Sequence, residues 1–456
     1  MGHIGGFMGK LFGTDGVRGV ANSELTPELA FKLGKAGAHV LSKSKENPVI
    51  LIGKDTRLSG DMLEDALSAG ITAVGGKVIK VGVLPTPAIA YLVRKFEADA
   101  GVVISASHNP FEYNGIKFFN GEGFKLDDEI EDEIEDIILN DIDINSHITG
   151  DKLGRCMAAD DDAEQQYADF LKSTIDVDVK GIKLVLDCAN GAAYKVAERV
   201  YTELGADVTV IGKEPNGINI NDGCGSTHPE KLCQEVVKAG ALMGLAYDGD
   251  ADRLIAVDEL GRVIDGDKLM LICAKMMKDR GELTDNKVTA TVMSNIGFHK
   301  HLEAMGGCAD VTAVGDRYVL ESMLKTGCKI GGEQSGHIIF LNHSTTGDGI
   351  LSSLQFLQAV ILSGKKPSEL SDEIEIFPQV LRNARVQNDK KSVFLKDPEI
   401  AAEIEKMEAE MEGCGRVLIR PSGTEPVARV MLEGQDVEHI TALAENLAEM
   451  ITKKFG

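Results

Sequence analysis

Apolar and polar positions along the chain repeat one unit three times: an apolar strand, a loop holding Asp or Asn, a helix, and a second apolar strand. The first copy has a strand at 48–53, then Lys54-Asp55-Thr56-Arg57, a helix through Ala66-Leu67 and a strand at 77–81. The second has a strand at 182–186, then Asp187-Cys188-Ala189-Asn190-Gly191, a helix through 197–200 and a strand at 207–211. The third has a strand at 287–292, then Met293-Ser294-Asn295, a helix through His301-Leu302 and a strand at 309–313. Short apolar strands separated by helix-length segments mark βαβ units, so parallel or mixed sheets covered by helices are predicted. Acidic, irregular stretches between the copies favour three similar α/β domains in series over one large doubly wound sheet.

Helical periodicity is clear elsewhere. Thr26 suits an N-cap, Pro27 the first helical position, and Leu29, Leu33, Ala36 and Val40 one apolar face. Residues 129–139 place Ile130, Ile134, Ile137 and Ile138 inward under an acidic, solvated exterior. The C-terminal region differs. Asp397-Pro398 opens a helix with Ile400, Ile404, Met407 and Met411 on one side, strands follow at 416–420 and 428–432, and a last helix carries Ile440, Leu443, Leu447 and Ile451. Two strands and two helices predict a smaller α+β domain. The expected boundaries are 1–152, 153–253 and 254–370 for the α/β domains and 371–456 for the α+β domain.

Composition is that of a globular chain: 456 residues, 43% hydrophobic and 26% charged. No run approaches the ~20 apolar residues of a membrane span. The start lacks a basic region followed by an apolar core, and Gly6 stands where a myristoylation signal has Ser or Thr. A net charge of −24 argues against nucleic acid and anionic membrane as partners. That charge also repels an anionic substrate, so a phosphate site must gather its own cations; Arg18, Lys117, Arg253, Arg420 and Arg429 are candidates. The eight cysteines show no CxxC spacing, which argues against a zinc ribbon or redox motif and fits a reducing cytoplasm.

Four distant loops carry the chemistry. A strand at 101–104 ends in Ser105-Ala106-Ser107-His108-Asn109-Pro110. A serine that accepts and returns a phosphoryl group needs exposure, a proton acceptor and cations, and Ser107 has His108 beside it and Lys117 nearby. Asp248, Asp250 and Asp252 follow an apolar strand; in an extended loop, alternate side chains converge on one cation, and an all-oxygen set indicates Mg²⁺. Glu259 completes an EF-hand count, but Arg253 occupies the obligatory glycine position. Gly332-Glu333-Gln334-Ser335-Gly336-His337 allows close backbone approach, with Glu333 and Ser335 suited to sugar hydroxyls and His337 to proton transfer. Arg420, Ser422, Gly423 and Thr424 supply a guanidinium fork, hydroxyls and backbone N–H groups for an anion. Gly13-Thr14-Asp15-Gly16-Val17-Arg18-Gly19 is not a dinucleotide loop, since it follows no strand and lacks GxGxxG; Arg18 reads better as a phosphate ligand. Each loop alone reads as an ordinary polar turn. Together they describe phosphoryl transfer on a phosphosugar.

These segments, in this order, resemble the α-D-phosphohexomutase superfamily over nearly the whole chain. Gln334 in the 332–337 segment, Gly225-Ser226-Thr227-His228-Pro229-Glu230 and the 420–426 segment resemble its glucosamine-phosphate branch. The resemblance implies four domains around a central cleft, the last one mobile. It implies a phosphorylated Ser107, one Mg²⁺ held by that serine with Asp248, Asp250 and Asp252, and sugar contacts from Glu333 and Ser335. The implied reaction interconverts glucosamine 6-phosphate and glucosamine 1-phosphate through glucosamine 1,6-bisphosphate, feeding amino-sugar nucleotide and cell-wall precursor synthesis in the cytoplasm. Phosphomannomutase/phosphoglucomutase chemistry is the nearest alternative. A phosphosugar is the expected partner, and a homodimer is the one assembly raised.

Overall fold

The computed structural model describes residues 11–456 apart from 14, 43–44, 145–147, 160–161, 412, 414 and 423–425. The chain divides into two compact units: one holds the chain up to Met293 together with Gly307–Asp372, the other Ser294–Gly306 and Glu373–Gly456.

The first unit holds three sheets. β1 (Val17–Val20), β2 (Val49–Lys54), β3 (Lys77–Val83), β4 (Ala100–Ile104), β5 (Tyr113–Asn120) and β6 (Cys156–Ala158) lie in the order β1-β5-β4-β2-β3-β6. β7 (Lys183–Asp187), β8 (Asp207–Ile211), β9 (Met243–Tyr247), β10 (Leu254–Asp258) and β11 (Val263–Ile264) lie in the order β11-β10-β9-β7-β8. β12 (Lys287–Thr291), β13 (Cys308–Thr312), β14 (Ile330–Gly332) and β15 (Ile338–Phe340) lie in the order β13-β12-β14-β15. The two strands of each sequence repeat pair in parallel, as the apolar pattern predicts: β2 with β3, β7 with β8, β12 with β13.

A deeper regularity is visible only in three dimensions. In each sheet the first repeat strand also pairs in parallel with a third strand, which turns back into an antiparallel neighbour: β4 into β5, β9 into β10, β14 into β15. Those three reversals are residues 105–112, 248–253 and 333–337. The serine, aspartate and sugar loops are therefore the same turn in three copies of one motif. Each begins at the carboxyl end of a strand in a parallel pair, where α/β sheets place ligands.

In the first copy the helices Pro27–Ser42 and Ser59–Ala73 cross closely. Thr26 caps the former, its Oγ1 accepting from the Leu29 N–H at 3.2 Å. A Cβ at Gly70 would land on the Phe31 carbonyl oxygen, and one at Gly34 on that of Leu67. Gly70→Ala gains about 1 kcal/mol of helix propensity, but it clashes with backbone, and overpacking costs about 1–3 kcal/mol. The expected result is a lower midpoint in urea unfolding.

The second unit has β16 (Gln379–Arg385), β17 (Gly415–Pro421) and β18 (Val427–Gly434) in the antiparallel order β16-β18-β17. Helices Pro398–Glu410 and Val437–Phe455 bury Ile400, Met407, Ile440, Leu447 and Ile451 in one core with Val430 and Leu432. Asp397 caps the first of these, accepting from the Glu399 and Ile400 N–H groups. β16 is the strand the sequence reading omits: Arg382, Asn383 and Arg385 dilute its apolar positions, so it looks like linker. All seven described cysteines are free thiols. No helix among the described residues is long and apolar enough to cross a membrane.

Candidate active site

Beyond β4 the backbone is strained on purpose. Ser107 adopts φ +51°, a left-handed conformation that side chains other than Gly and Asn seldom take. Several buried groups hold it there. Ser105 Oγ donates to Asp55 Oδ2 at 2.6 Å and accepts from the Ser107 N–H at 3.0 Å. Arg57, fully buried and ion-paired with Asp55, donates through Nη2 to the Ser107 carbonyl at 3.1 Å and the Asn109 carbonyl at 2.6 Å. Ser107 Oγ then donates to Asp248 Oδ2 at 2.6 Å, with His108 Nδ1 3.4 Å away. Burial, with Arg253 and Arg18 nearby, pushes the His108 imidazole down to about 4, so it is neutral near pH 7. The sequence reading expects an exposed serine; Ser107 is only 1% exposed, because the aspartate turn packs against it.

That turn is not the extended segment expected. It is a tight reversal between β9 and β10 with Ala251 at φ +56°, and the curl, rather than strand alternation, gathers the carboxylates. Asp248, Asp250 and Asp252 each offer an oxygen within 4.8 Å of the others, and all three are buried. Oδ1 of Asp250 and Oδ1 of Asp252 have no hydrogen-bond partner. Buried carboxylate oxygens without donors, in an all-oxygen set, fit a hard divalent cation. Burial and the charges of Asp252 and Asp250 raise the Asp248 carboxyl well above its ordinary range. For Asp250, burial pulls the same way, but Lys117 and the Thr86 hydroxyl, which donates to Oδ2 at 2.7 Å, outweigh it and hold this carboxyl low.

A closed circuit of charge starts and ends on these aspartates. Lys117 Nζ, on β5, lies 3.1 Å from Asp250 and 3.5 Å from Asp15. Asp15 pairs with Arg18 and, at 2.8 Å, with Lys125. Lys125 pairs with Asp316. His337 closes the circuit, with Nε2 3.6 Å from Asp316 and Nδ1 3.6 Å from Asp252. Burial opposes charge on Lys117, but Asp15 and Asp250 outweigh it and raise its pKa. The Gly347 N–H donates to His337 Nε2 at 3.1 Å, which turns the Nδ1 side toward Asp252. Both ring nitrogens thus face protein groups, Nε2 the Gly347 N–H and Asp316, Nδ1 Asp252.

In the third turn Glu333 Oε1 accepts from the Gly315 N–H at 3.0 Å, Ser335 is exposed, and Gln334 donates to Asp265 at 3.1 Å. Gly336 sits at φ +92° against β10, where a Cβ would strike the Leu254 carbonyl; only glycine fits both demands. Arg253 bridges to His337 through the backbone. The Nε groups of Arg253 and Arg18 are buried without an acceptor, leaving two guanidinium donors for an anion. With β10 starting at Leu254, the EF-hand count has no loop to occupy.

The second unit carries its own cations. Arg420 on β17 stands directly opposite Arg429 on β18. The Ser422 N–H donates to the Val427 carbonyl at 2.8 Å, and Lys391 Nζ donates to the Ser422 carbonyl at 2.8 Å. Gly423 and Thr424 lie outside the described residues.

Comparison with known proteins decides what this geometry belongs to. Sequence models of the phosphoglucomutase/phosphomannomutase family match domain I at residues 9–144, domain II at 165–261, domain III at 265–377 and the C-terminal domain at 381–450. The chain is 59% identical over 450 residues to a phosphoglucosamine mutase of Clostridium novyi, covering 98% of this chain and 99% of that protein. The chain belongs to the phosphoglucosamine mutases of this family. A phosphoglucosamine mutase of Clostridium acetobutylicum is 58% identical, covering 98% of this chain and all of that protein. Among solved structures, a phosphoglucomutase/phosphomannomutase family protein from Burkholderia thailandensis superposes with TM-score 0.81 at 23% identity, covering 98% of each chain. An N-acetylphosphoglucosamine mutase of Aspergillus fumigatus, in complex with GlcNAc-6P and magnesium, superposes with TM-score 0.71 at 19% identity, covering 98% of this chain and 96% of that one. At those identities the two structures show the shared mutase fold.

Several residues of the site are not marked by sequence alone. Asp55 and Arg57 follow the first repeat strand and form the turn that buttresses the serine loop. Asp15 lies in the same glycine-rich segment as Arg18. Lys125, Asp316, Thr86 and Asn221 carry no local signal, since their roles come from contacts with residues more than 100 positions away.

Proposed function

We infer that this chain interconverts glucosamine 6-phosphate and glucosamine 1-phosphate through a phosphorylated Ser107 and a bisphosphorylated sugar. One observation carries the mechanism: the Ser107 hydroxyl lies 2.6 Å from Asp248, inside a buried triad of carboxylates. An isolated buried triad of this kind is costly, and it makes sense as a phosphoryl site with a cation.

Asp248, Asp250 and Asp252, with an oxygen of the phosphorylated serine, would hold Mg²⁺. Bound there, the ion supplies charge neutralisation to the phosphoryl group. The remaining work falls to the chain. The serine Oγ–P bond breaks as a sugar hydroxyl oxygen bonds to phosphorus; the sugar oxygen loses one proton and the departing Oγ gains one. His108 suits the serine side of that exchange, being neutral near pH 7 and adjacent to Ser107 Oγ: it takes the Oγ proton when the serine attacks and returns it when the serine leaves. Lys117, held charged, offsets phosphoryl charge instead of accepting a proton. The bisphosphate then turns over, its other phosphate returns to Ser107, and the serine regains its phosphoryl group. Arg18 and Arg253, whose Nε groups lack a hydrogen-bond acceptor, would donate to phosphate oxygens. Glu333 and Ser335 read sugar hydroxyls. In the second unit, Arg420 and Arg429 stand opposite each other across a strand pair, and with Ser422, Gly423 and Thr424 they are the residues proposed to take a substrate phosphate. Positioning and charge stabilisation supply most of the rate in such reactions.

The test is a coupled assay with a trace of glucosamine 1,6-bisphosphate. The expected kcat/KM for glucosamine 6-phosphate exceeds those for mannose and glucose phosphates by about tenfold or more, the discrimination one well-read polar group gives. Equal values for all three sugars would overturn the glucosamine assignment. Stoichiometric release of inorganic phosphate would make the chain a phosphatase.

A further inference from the structure

The serine turn and the aspartate turn sit on different sheets, yet the chemistry needs them in register to a fraction of an ångström. Asn221 joins them. It lies in the loop between β8 and the helix Glu230–Ala239, far in sequence from both turns. Its Nδ2 donates to the Ser107 carbonyl at 3.0 Å and to the Asn109 carbonyl at 3.2 Å. Both partners are carbonyl oxygens, so only the amino end of the amide can face them. Its backbone N–H donates to the Ala189 carbonyl at 2.9 Å, tying it to the second sheet. The aspartate turn leans on the same atoms: a Cβ on Gly249 would come 2.5 Å from the Ser107 carbonyl oxygen and 2.8 Å from Asn221 Nδ2. Asn221 is 8% exposed and has φ +58°, the left-handed conformation that asparagine and glycine tolerate best.

We propose that Asn221 is a positioning residue for phosphoryl transfer, using both amide hydrogens to hold the Ser107 peptide in its left-handed turn against the metal-binding aspartates. Arg57 grips the same two carbonyls from the first sheet, so the serine is held by its backbone from two sides while its side chain stays free to carry phosphate. The inference rests on the mutase reading of this site.

Two variants separate positioning from bulk stability. Asn221→Gly removes the amide without straining the left-handed backbone. Asn221→Asp keeps size and shape but replaces two donors by a carboxylate facing two carbonyl oxygens. The measurements are kcat and KM for glucosamine 6-phosphate, the rate at which the ³²P-labelled phosphoenzyme loses phosphate to water relative to sugar, and the thermal midpoint. The expected result is a kcat roughly 10–100-fold lower in Asn221→Gly, the usual loss when a supporting hydrogen-bond partner is removed. KM should stay within about twofold, since substrate groups are untouched. The water-to-sugar partition should rise, and Asn221→Asp should be worse than Asn221→Gly. Wild-type kcat in either folded variant overturns the proposal, as does a loss matched by the unfolded fraction at the assay temperature. If Asn221→Gly fails to fold, the size-conserving Asn221→Asp decides between these outcomes. Should the wild-type chain itself not turn over glucosamine 6-phosphate, it is the mutase reading that fails.

Discussion

Ser107→Ala is expected to lose mutase turnover by about three orders of magnitude or more while the protein stays folded and still binds phosphosugar. Loss of a covalent nucleophile removes the route, not merely an interaction, and such losses are the largest in enzyme kinetics. The fold should tolerate the change. Ser107 is gripped through its carbonyl and N–H, by Arg57, Asn221 and Ser105, and all of these contacts survive in alanine. Alanine meets the same left-handed backbone cost that serine already bears. The change frees Asp248 of a hydrogen bond but takes the serine's oxygen out of the proposed ligand set, so Mg²⁺ should still bind through the three aspartates, more weakly. Three readings check this: steady-state turnover, ³²P incorporation from labelled bisphosphate, and the thermal midpoint. Near-normal turnover, or undiminished label, would remove Ser107 from the mechanism.

The second large effect concerns the metal. Chelation is expected to abolish turnover and Mg²⁺ to restore it, and Asp250→Asn should weaken Mg²⁺ binding while leaving the sheet intact. The pH dependence has a definite sign. In the metal-free protein Asp248 is raised above its ordinary carboxyl value by burial and by Asp252 and Asp250. The folded state therefore binds a proton that the unfolded chain has released, and metal-free stability falls as pH rises from the ordinary carboxyl range through the raised value. Asp250 is shifted the other way, so its contribution is lost only on acidification below the ordinary range. Metal and proton compete at Asp248, so apparent Mg²⁺ affinity should grow with pH by up to about tenfold per unit while that proton is bound. Thermal melts with and without Mg²⁺ should show a metal-induced rise that widens with pH. A rise that narrows, or chelation without effect on turnover, would refute the triad as the metal site.

Much of this arrangement was legible in the sequence because it is local. Three βαβ units follow from apolar runs and their spacing, and a strand followed at once by Ser107 or by Asp248 announces a functional turn. What the sequence hid is relational. Nothing in the spelling of residues 105–110, 248–253 and 332–337 says that they are one turn in three copies; that emerges only when β4, β9 and β14 are seen pairing with β2, β7 and β12. The three aspartates do converge, but through a curled turn and not the extended segment that their spacing predicts. Asp15, Lys125 and Asp316 are ordinary surface letters in one dimension. Their partners lie 110 and 191 residues apart, and no window of sequence contains them.

The charge circuit has a further consequence, one of electroneutrality. Asp15, Asp250, Asp252 and Asp316 contribute four carboxylates, and Lys117 and Lys125 two ammonium groups. Arg18 beside Asp15 and Arg253 beside Asp252 add two guanidinium groups, so the side chains of the circuit come close to balancing one another by themselves. An Mg²⁺ that entered alone would leave the cavity positive, and a phosphoryl group on Ser107, carrying about −1.5 to −2, would offset it. Ion and phosphate would thus enter as a near-neutral pair, each favouring the other.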